Sequence, residues 1–145
     1  MSITDPTEAY FKDGGWGWDL TRWRKLALLF GYTDRWAENL GTAAAPGGTY
    51  TGAGTAVPAG YVYVLQALSI ANNTGARGMS RVWIRSATYF CFLGCVATPA
   101  QYEPCYFSGA IVLKEGDYAV VQQADAVAGD VIYAAAVGYK MKINE

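Results

Sequence analysis

Few side chains in this 145-residue chain could do chemistry. Cys91, Cys95 and Cys105 could ligate a metal with Glu103 as fourth ligand, and Glu115 with Asp117 could form the carboxylate pair of a glycoside hydrolase. The chain has no histidine, which removes Ser-His-Asp and Cys-His catalysis, the usual imidazole base and most zinc sites. Cys-x3-Cys-x9-Cys is a weak zinc spacing, and an odd cysteine count is no disulfide scaffold. On one strand Cys91 and Cys95 would lie ~13 Å apart on the same face, beyond disulfide reach. Glu115 and Asp117 flank Gly116 and read as the polar rim of a turn. The glycine-rich run 47–54 lacks a Gly-Lys-Ser/Thr sequel and is no phosphate loop. Asn72-Asn73-Thr74 has the form of a glycosylation sequon but reads as a turn. The chain is therefore expected not to be an enzyme, with no catalytic residue, cofactor or metal.

Residues suited to binding are more numerous. Trp16, Trp18, Trp23 and Trp36, four of the five tryptophans, fall within residues 14–40. At ~150–250 Å² each they hold roughly 600–1,000 Å², about one side of a standard protein interface. At ~25 cal/mol per Å² that is on the order of 15–25 kcal/mol gross, too much to leave in water. The expected protein-interface residues are these tryptophans as apolar anchors, with Arg22, Arg24 and Arg35 as orienting ion-pair partners. Further on, Arg77, Arg81 and Arg85 line up near one strand's outward face, with Trp83 between the latter two. Such a patch can bind single-stranded nucleic acid, but a net charge of −1 favours the carboxylates of a protein neighbour. Tyr61, Tyr63, Tyr89, Tyr102 and Tyr106 could stack on sugars, or be buried in the fold.

The totals agree with a covered surface. Charged residues make up 16%, short of the ~25% of ordinary soluble proteins, so part of the exterior is expected to be occupied. The net charge leaves no field for nucleic acid or an anionic membrane. The start, with Asp5, Glu8 and Asp13, has no apolar core and reads as no signal peptide. The uncharged stretch 41–76 carries too many glycines and prolines to span a membrane.

Three segments have to position these residues: an aromatic arm over 1–41, a Gly/Ala/Thr linker over 42–54 and a body over 55–145. In the arm, 10–12 reads as a short strand. Residues 16–32 fit a helix, with Trp23, Leu26, Ala27 and Phe30 at i, i+3, i+4 and i+7, or a hairpin, which glycines 14, 15, 17 and 31 favour. Residues 33–41 read as two turns of helix, capped by Thr33 and ended by Gly41. The body predicts strands over 61–72, 81–85, 89–96, 106–113, 118–123 and 131–143, with turns at 57–60, 72–75 and 114–117. Alternation puts Val62, Val64, Leu68 and Ile70 on one face of the first, and Val82 and Ile84 inward on the second. With no helix-length pattern between strands, the expected fold is mainly β, an antiparallel β-sandwich of jelly-roll type.

Two groups of motifs resemble a known family. Trp-Gly-Trp-Asp and Trp-Arg-Lys-Leu within 16–26, followed by Leu-Phe-Gly-Tyr-Thr-Asp-Arg-Trp-Ala-Glu at 29–38, resemble segments of small virion proteins of tailed bacteriophages. Val-Pro-Ala-Gly-Tyr-Val-Tyr-Val at 57–64, Leu-Lys-Glu-Gly-Asp at 113–117, and Ala-Gly-Asp-Val-Ile-Tyr with Gly-Tyr-Lys-Met over 128–141 are similar to the β-sandwich of phage decoration and head proteins. Similar arms occur in tail-fibre proteins, usually with Asp-Gly where this chain has Asp19-Leu20. The resemblance implies a virion structural protein, assembled in the host cytoplasm, of the capsid decoration or cement type. Its implied partners are the phage major capsid protein and sister copies in a homotrimer, with no nucleic acid and no membrane. The alternative it leaves is a tail, fibre or baseplate component that binds host glycans.

Overall fold

The computed structural model of the protein describes residues 34–74 and 78–143; the elements expected over 10–12 and 16–32 lie outside them. From Asp34 onward the chain forms one compact unit. Its regular elements among the described residues are strands: β1 (Asp34–Asn39), β2 (Gly48–Ala53), β3 (Tyr61–Asn72), β4 (Ser80–Arg85), β5 (Phe90–Val96), β6 (Cys105–Leu113), β7 (Tyr118–Ala126) and β8 (Ile132–Lys142). They form two antiparallel four-stranded sheets, in the orders β1-β8-β3-β6 and β2-β7-β4-β5. One buried cluster joins the two inner faces, through Leu65, Leu68 and Ile70 of β3, Val82 and Ile84 of β4, Val121 of β7 and Ala136 of β8. The expected mainly-β, sandwich-like architecture is the one observed.

The body begins earlier than the sequence suggested. Residues 33–41, expected as a helix, hold β1, and the expected linker holds β2. So short a helix makes too few hydrogen bonds to offset its nucleation. As a strand the segment instead pairs throughout with β8, from Asp34↔Lys140 to Asn39↔Ala135. It also carries Trp36 and Leu40 into the core. Trp36 is 8% exposed, its ring centroid 5.0 Å from that of Tyr63. Glu38 ties this start to the segment after β2, accepting from the Thr55 N–H and hydroxyl, both at 2.8 Å.

Alternation breaks once within β3. Leu65 lies opposite Gly138 and Ala67 opposite Val137, so Gln66 is an extra residue in the ladder. Such a bulge moves every following side chain to the other face. Tyr61, Tyr63 and Leu65 face the core before it, and Leu68 and Ile70 after it. The single face expected for Val62, Val64, Leu68 and Ile70 is thereby split, with Val62 and Val64 turned outward. At the crossing with β8 only glycine fits, since a Cβ on Gly138 would stand 1.8 Å from the Val64 carbonyl oxygen.

The turn expected at 57–60 forms one residue later. The Tyr61 N–H donates to the Pro58 carbonyl at 3.3 Å. Gly60 has a φ of 80°, as the third position of a type II turn requires.

Candidate functional site

The residues with catalytic potential are engaged in turns. Asp117 is buried, and its Oδ2 accepts from the Lys114 N–H at 3.1 Å and the Tyr89 hydroxyl at 3.3 Å. Glu103 accepts from the Ala100 N–H at 2.6 Å, while Glu115 is exposed at a turn tip. Around the sequon-like stretch, the Asp130 carboxylate accepts from Asn72 Nδ2 at 3.1 Å, the Thr74 hydroxyl at 2.8 Å and the Val127 N–H at 2.9 Å. Each bond closes a connection between strands.

The cysteines do not converge. Cys91 and Cys95 are exposed and Cys105 is buried. A bulge at Leu93 turns the first two to opposite faces of β5, Cys91 opposite core Ile84 and Cys95 opposite Arg81. Their expected placement on one face therefore fails. Burial pushes the Cys105 thiol above its ordinary value, and nearby Cys95 adds to the rise. Among the described residues no group of three or more His, Cys, Asp or Glu could hold a metal.

Two outer faces carry the binding potential. On the β2-β7-β4-β5 sheet, lateral register aligns Ala53, Val120, Trp83 and Phe92 in one row, and Thr51, Gln122, Arg81 and Cys95 in the next. Tyr118, Arg85 and Phe90 form a third. Because Val82 and Ile84 point into the core, Arg81, Trp83 and Arg85 point out, as the alternation predicted. A polar chain crosses the sheet: Arg81 Nη2 donates to Gln122 Oε1, and Gln122 Nε2 donates to the Thr51 hydroxyl at 3.1 Å. The Arg81 guanidinium stands 5.7 Å from the Trp83 ring centroid and that of Arg85 4.9 Å from the Phe90 centroid, within cation–π range. Phe90 is 58% and Phe92 61% exposed.

The outer face of the β1-β8-β3-β6 sheet is nearly free of charge. Its rows are Val112, Val64, Tyr139 and Arg35; Ser108, Ala67, Val137 and Ala37; and Tyr106, Ser69, Ala135 and Asn39. Arg35 is the one charged residue among these. Ala71 and Tyr133 continue the floor beside a shallow open depression lined by Asn39, Gly41, Ala43 and Ser69. Tyr102 stands 6.2 Å from Tyr133, centroid to centroid, with a φ of 59°. Tyr106 and Val112 are 63% and 65% exposed.

Of the expected interface residues, Trp16, Trp18, Arg22, Trp23 and Arg24 lie outside the described residues, as does Arg77. Arg35 is exposed on the outer face just described, and Trp36 is covered by its own body. The five tyrosines do not form one platform. Tyr61 and Tyr63 pack against the core, and Tyr89 sits beside Asp117, at the opposite end of β6 from Tyr106. Phe90, Phe92, Val112 and Tyr133 escaped the sequence reading. For the first three the signal was the absence of any charged residue from 90–96 and 105–113, two strands that became sheet edges; Tyr133, on β8, had no such signal.

Scans of known protein families and of curated proteins give no match to this chain. Among the described residues no helix is long and apolar enough to cross a membrane.

Proposed function

We propose that the protein is a non-enzymatic structural component of a tailed-bacteriophage virion, a capsid decoration or cement protein acting as a homotrimer. The observation that carries the reading is uncovered apolar surface on strands without charge: Phe90, Phe92, Tyr106 and Val112 stand exposed on β5 and β6. They lie on the outer faces of the two sheets, one pair on each, and exposed apolar surface of this kind marks protein interfaces. The pairing scheme supports a jelly roll as the finer fold. Strand β1 pairs with β8, β2 with β7, β3 with β6 and β4 with β5, the pattern of one long hairpin folded over into two sheets. That architecture serves many functions, so the role rests on the surfaces and on the motif resemblance. Cement proteins work by buried area, many copies tying neighbouring capsid subunits together, and Trp16, Trp18 and Trp23 of the arm would add to that contact, Trp36 being buried in the chain's own core.

Copy number by quantitative mass spectrometry of purified phage particles tests the proposal. Hundreds of copies per particle, with a solution mass near three times the 15.6 kDa chain, are expected; absence from particles refutes it. A second reading, a tail or fibre component binding host glycans, draws on Tyr102, Tyr106 and Tyr133 around the uncharged floor. It predicts six or twelve copies and a positive glycan-array signal.

A further inference from the structure

We infer that the outward face of β4 is a docking site for an extended acidic segment of a partner polypeptide. The segment would carry carboxylates four residues apart and an apolar side chain midway. This goes beyond the proposed virion role and does not depend on it.

Two unmet hydrogen-bond donors point to a ligand. Arg81 Nε and Trp83 Nε1 are buried and have no partner, although Trp83 is only 8% exposed. A buried N–H without an acceptor is uncommon, because the lost hydration goes uncompensated. Both donors belong to one outward face, two residues apart on β4. The three rows of this face contain no carboxylate. The Gln122 amide oxygen, beside Arg81, already accepts from Arg81 Nη2, and its amide nitrogen donates to the Thr51 hydroxyl. None of these rows supplies the missing acceptor, and a carboxylate brought by a partner would. Both N–H groups are sealed from solvent, so docking requires the side chains that cover them to part as the acceptor enters.

The spacing describes the rest of the ligand. Arg81 and Arg85 are four residues apart on the strand, roughly 13 Å. An extended chain with acidic residues at i and i+4 matches that span. Its residue i+2 then falls beside Phe92, which is exposed next to Trp83 at 5.7 Å between ring centroids. Phe90, under Arg85, extends the apolar border. Single-stranded nucleic acid fits less well. Two arginines neutralise about two phosphates, a small share of what non-specific binding draws on, and the chain's net charge is −1.

The test uses the full-length chain labelled with ¹⁵N, following the indole N–H signals of its five tryptophans. The Trp83 signal is assigned by backbone-linked spectra and checked with Trp83→Phe. The probe is the peptide acetyl-Glu-Ser-Phe-Ser-Glu-amide. A saturable shift of the Trp83 indole is expected, at least tenfold weaker in affinity for the Gln-Ser-Phe-Ser-Gln peptide. Arg85→Gln, at an exposed position, should weaken binding severalfold without changing the rest of the spectrum. A Trp83 signal that stays fixed overturns the inference, as does an equal response to the glutamine peptide. A response to oligodeoxythymidine in place of the acidic peptide overturns it in favour of nucleic acid. Particle copy number is measured separately, so failure here and failure of the virion reading are distinguishable.

Discussion

Replacing Trp36 with alanine separates an anchor of this chain's own fold from an anchor on a neighbour. Trp36 is 8% exposed and packs on Tyr63 at 5.0 Å. A tryptophan hides ~150–250 Å², so at ~25 cal/mol per Å² the indole contributes about 4–6 kcal/mol gross. Alanine retains part of that and the site relaxes in part, and measured losses for Trp-to-Ala changes in cores are about 3–5 kcal/mol. For a unit of this size each kcal/mol moves Tm by roughly 4 °C, so a fall of about 12–20 °C is expected. Trp36→Phe should lie in between. Urea and thermal unfolding at two protein concentrations tenfold apart read the effect, since a loss at an oligomer interface depends on concentration and a loss inside one chain does not. A destabilisation below about 1 kcal/mol, or one that vanishes at high concentration, would refute burial by the chain's own body.

Other outcomes follow from specific contacts. Gly138→Ala drives a methyl group into the Val64 carbonyl and should cost roughly 1–3 kcal/mol in urea unfolding, the range for overpacking. With Ellman's reagent the native protein should react quickly at Cys91 and Cys95 only, and Cys105 should appear on unfolding; three equally fast thiols would contradict the β5–β6 packing. The Cys105 thiol has its folded pKa raised above the ordinary 9.0, by burial first and Cys95 second. The folded state thus holds this proton more tightly than the unfolded chain does. The resulting stability is fully present below about pH 9 and is lost as pH rises through the higher folded value. Cys105→Ala should flatten that alkaline decline, measured as unfolding free energy from pH 8 to 11.

The strands were legible wherever one face met the core and the other met water. Val82 and Ile84 alternate with Arg81 and Arg85, and β4 formed as read. In β3 the extent was legible and the facing was not, because Gln66 is an ordinary residue and the bulge there shows only in the pairing with β8 and β6. β1 and β2 were hidden for different reasons. The run from Thr33 carries a helix cap and a terminal glycine, and only the distant β8, a century of residues away in the chain, turns it into a strand. Gly48–Ala53 has no apolar pattern at all, and its place is set by β7. The arginine face around Trp83 was read from spacing alone. The exposed aromatic edge was not, since Phe-Cys-Phe-Leu-Gly-Cys-Val reads as a buried strand until its position in the sheet order is known.

The edges themselves bear on how copies could associate. The outer strands β5 and β6 carry no charge, whereas β1, the edge across its sheet from β6, holds Asp34, Arg35 and Glu38. An uncharged, apolar free edge invites strand-by-strand growth, and proteins commonly blunt it with charge, proline or a bulge. Here the device is the bulge. The ladder along β6 jumps from Leu65↔Ile111 to Ala67↔Ser108, and that along β5 from Val82↔Gly94 to Trp83↔Phe92. Both edges are thus interrupted near mid-strand, leaving no long straight run of free N–H and C=O groups for another strand to zip onto. Phe90, Phe92, Tyr106 and Val112 nevertheless stay uncovered. Contact at these residues then favours side-chain packing between faces, which ends once the faces are matched, over edge pairing, which repeats without limit. A closed oligomer, the form proposed for this chain, is compatible with that combination of apolar surface and broken edge, whereas unlimited strand addition is disfavoured by it.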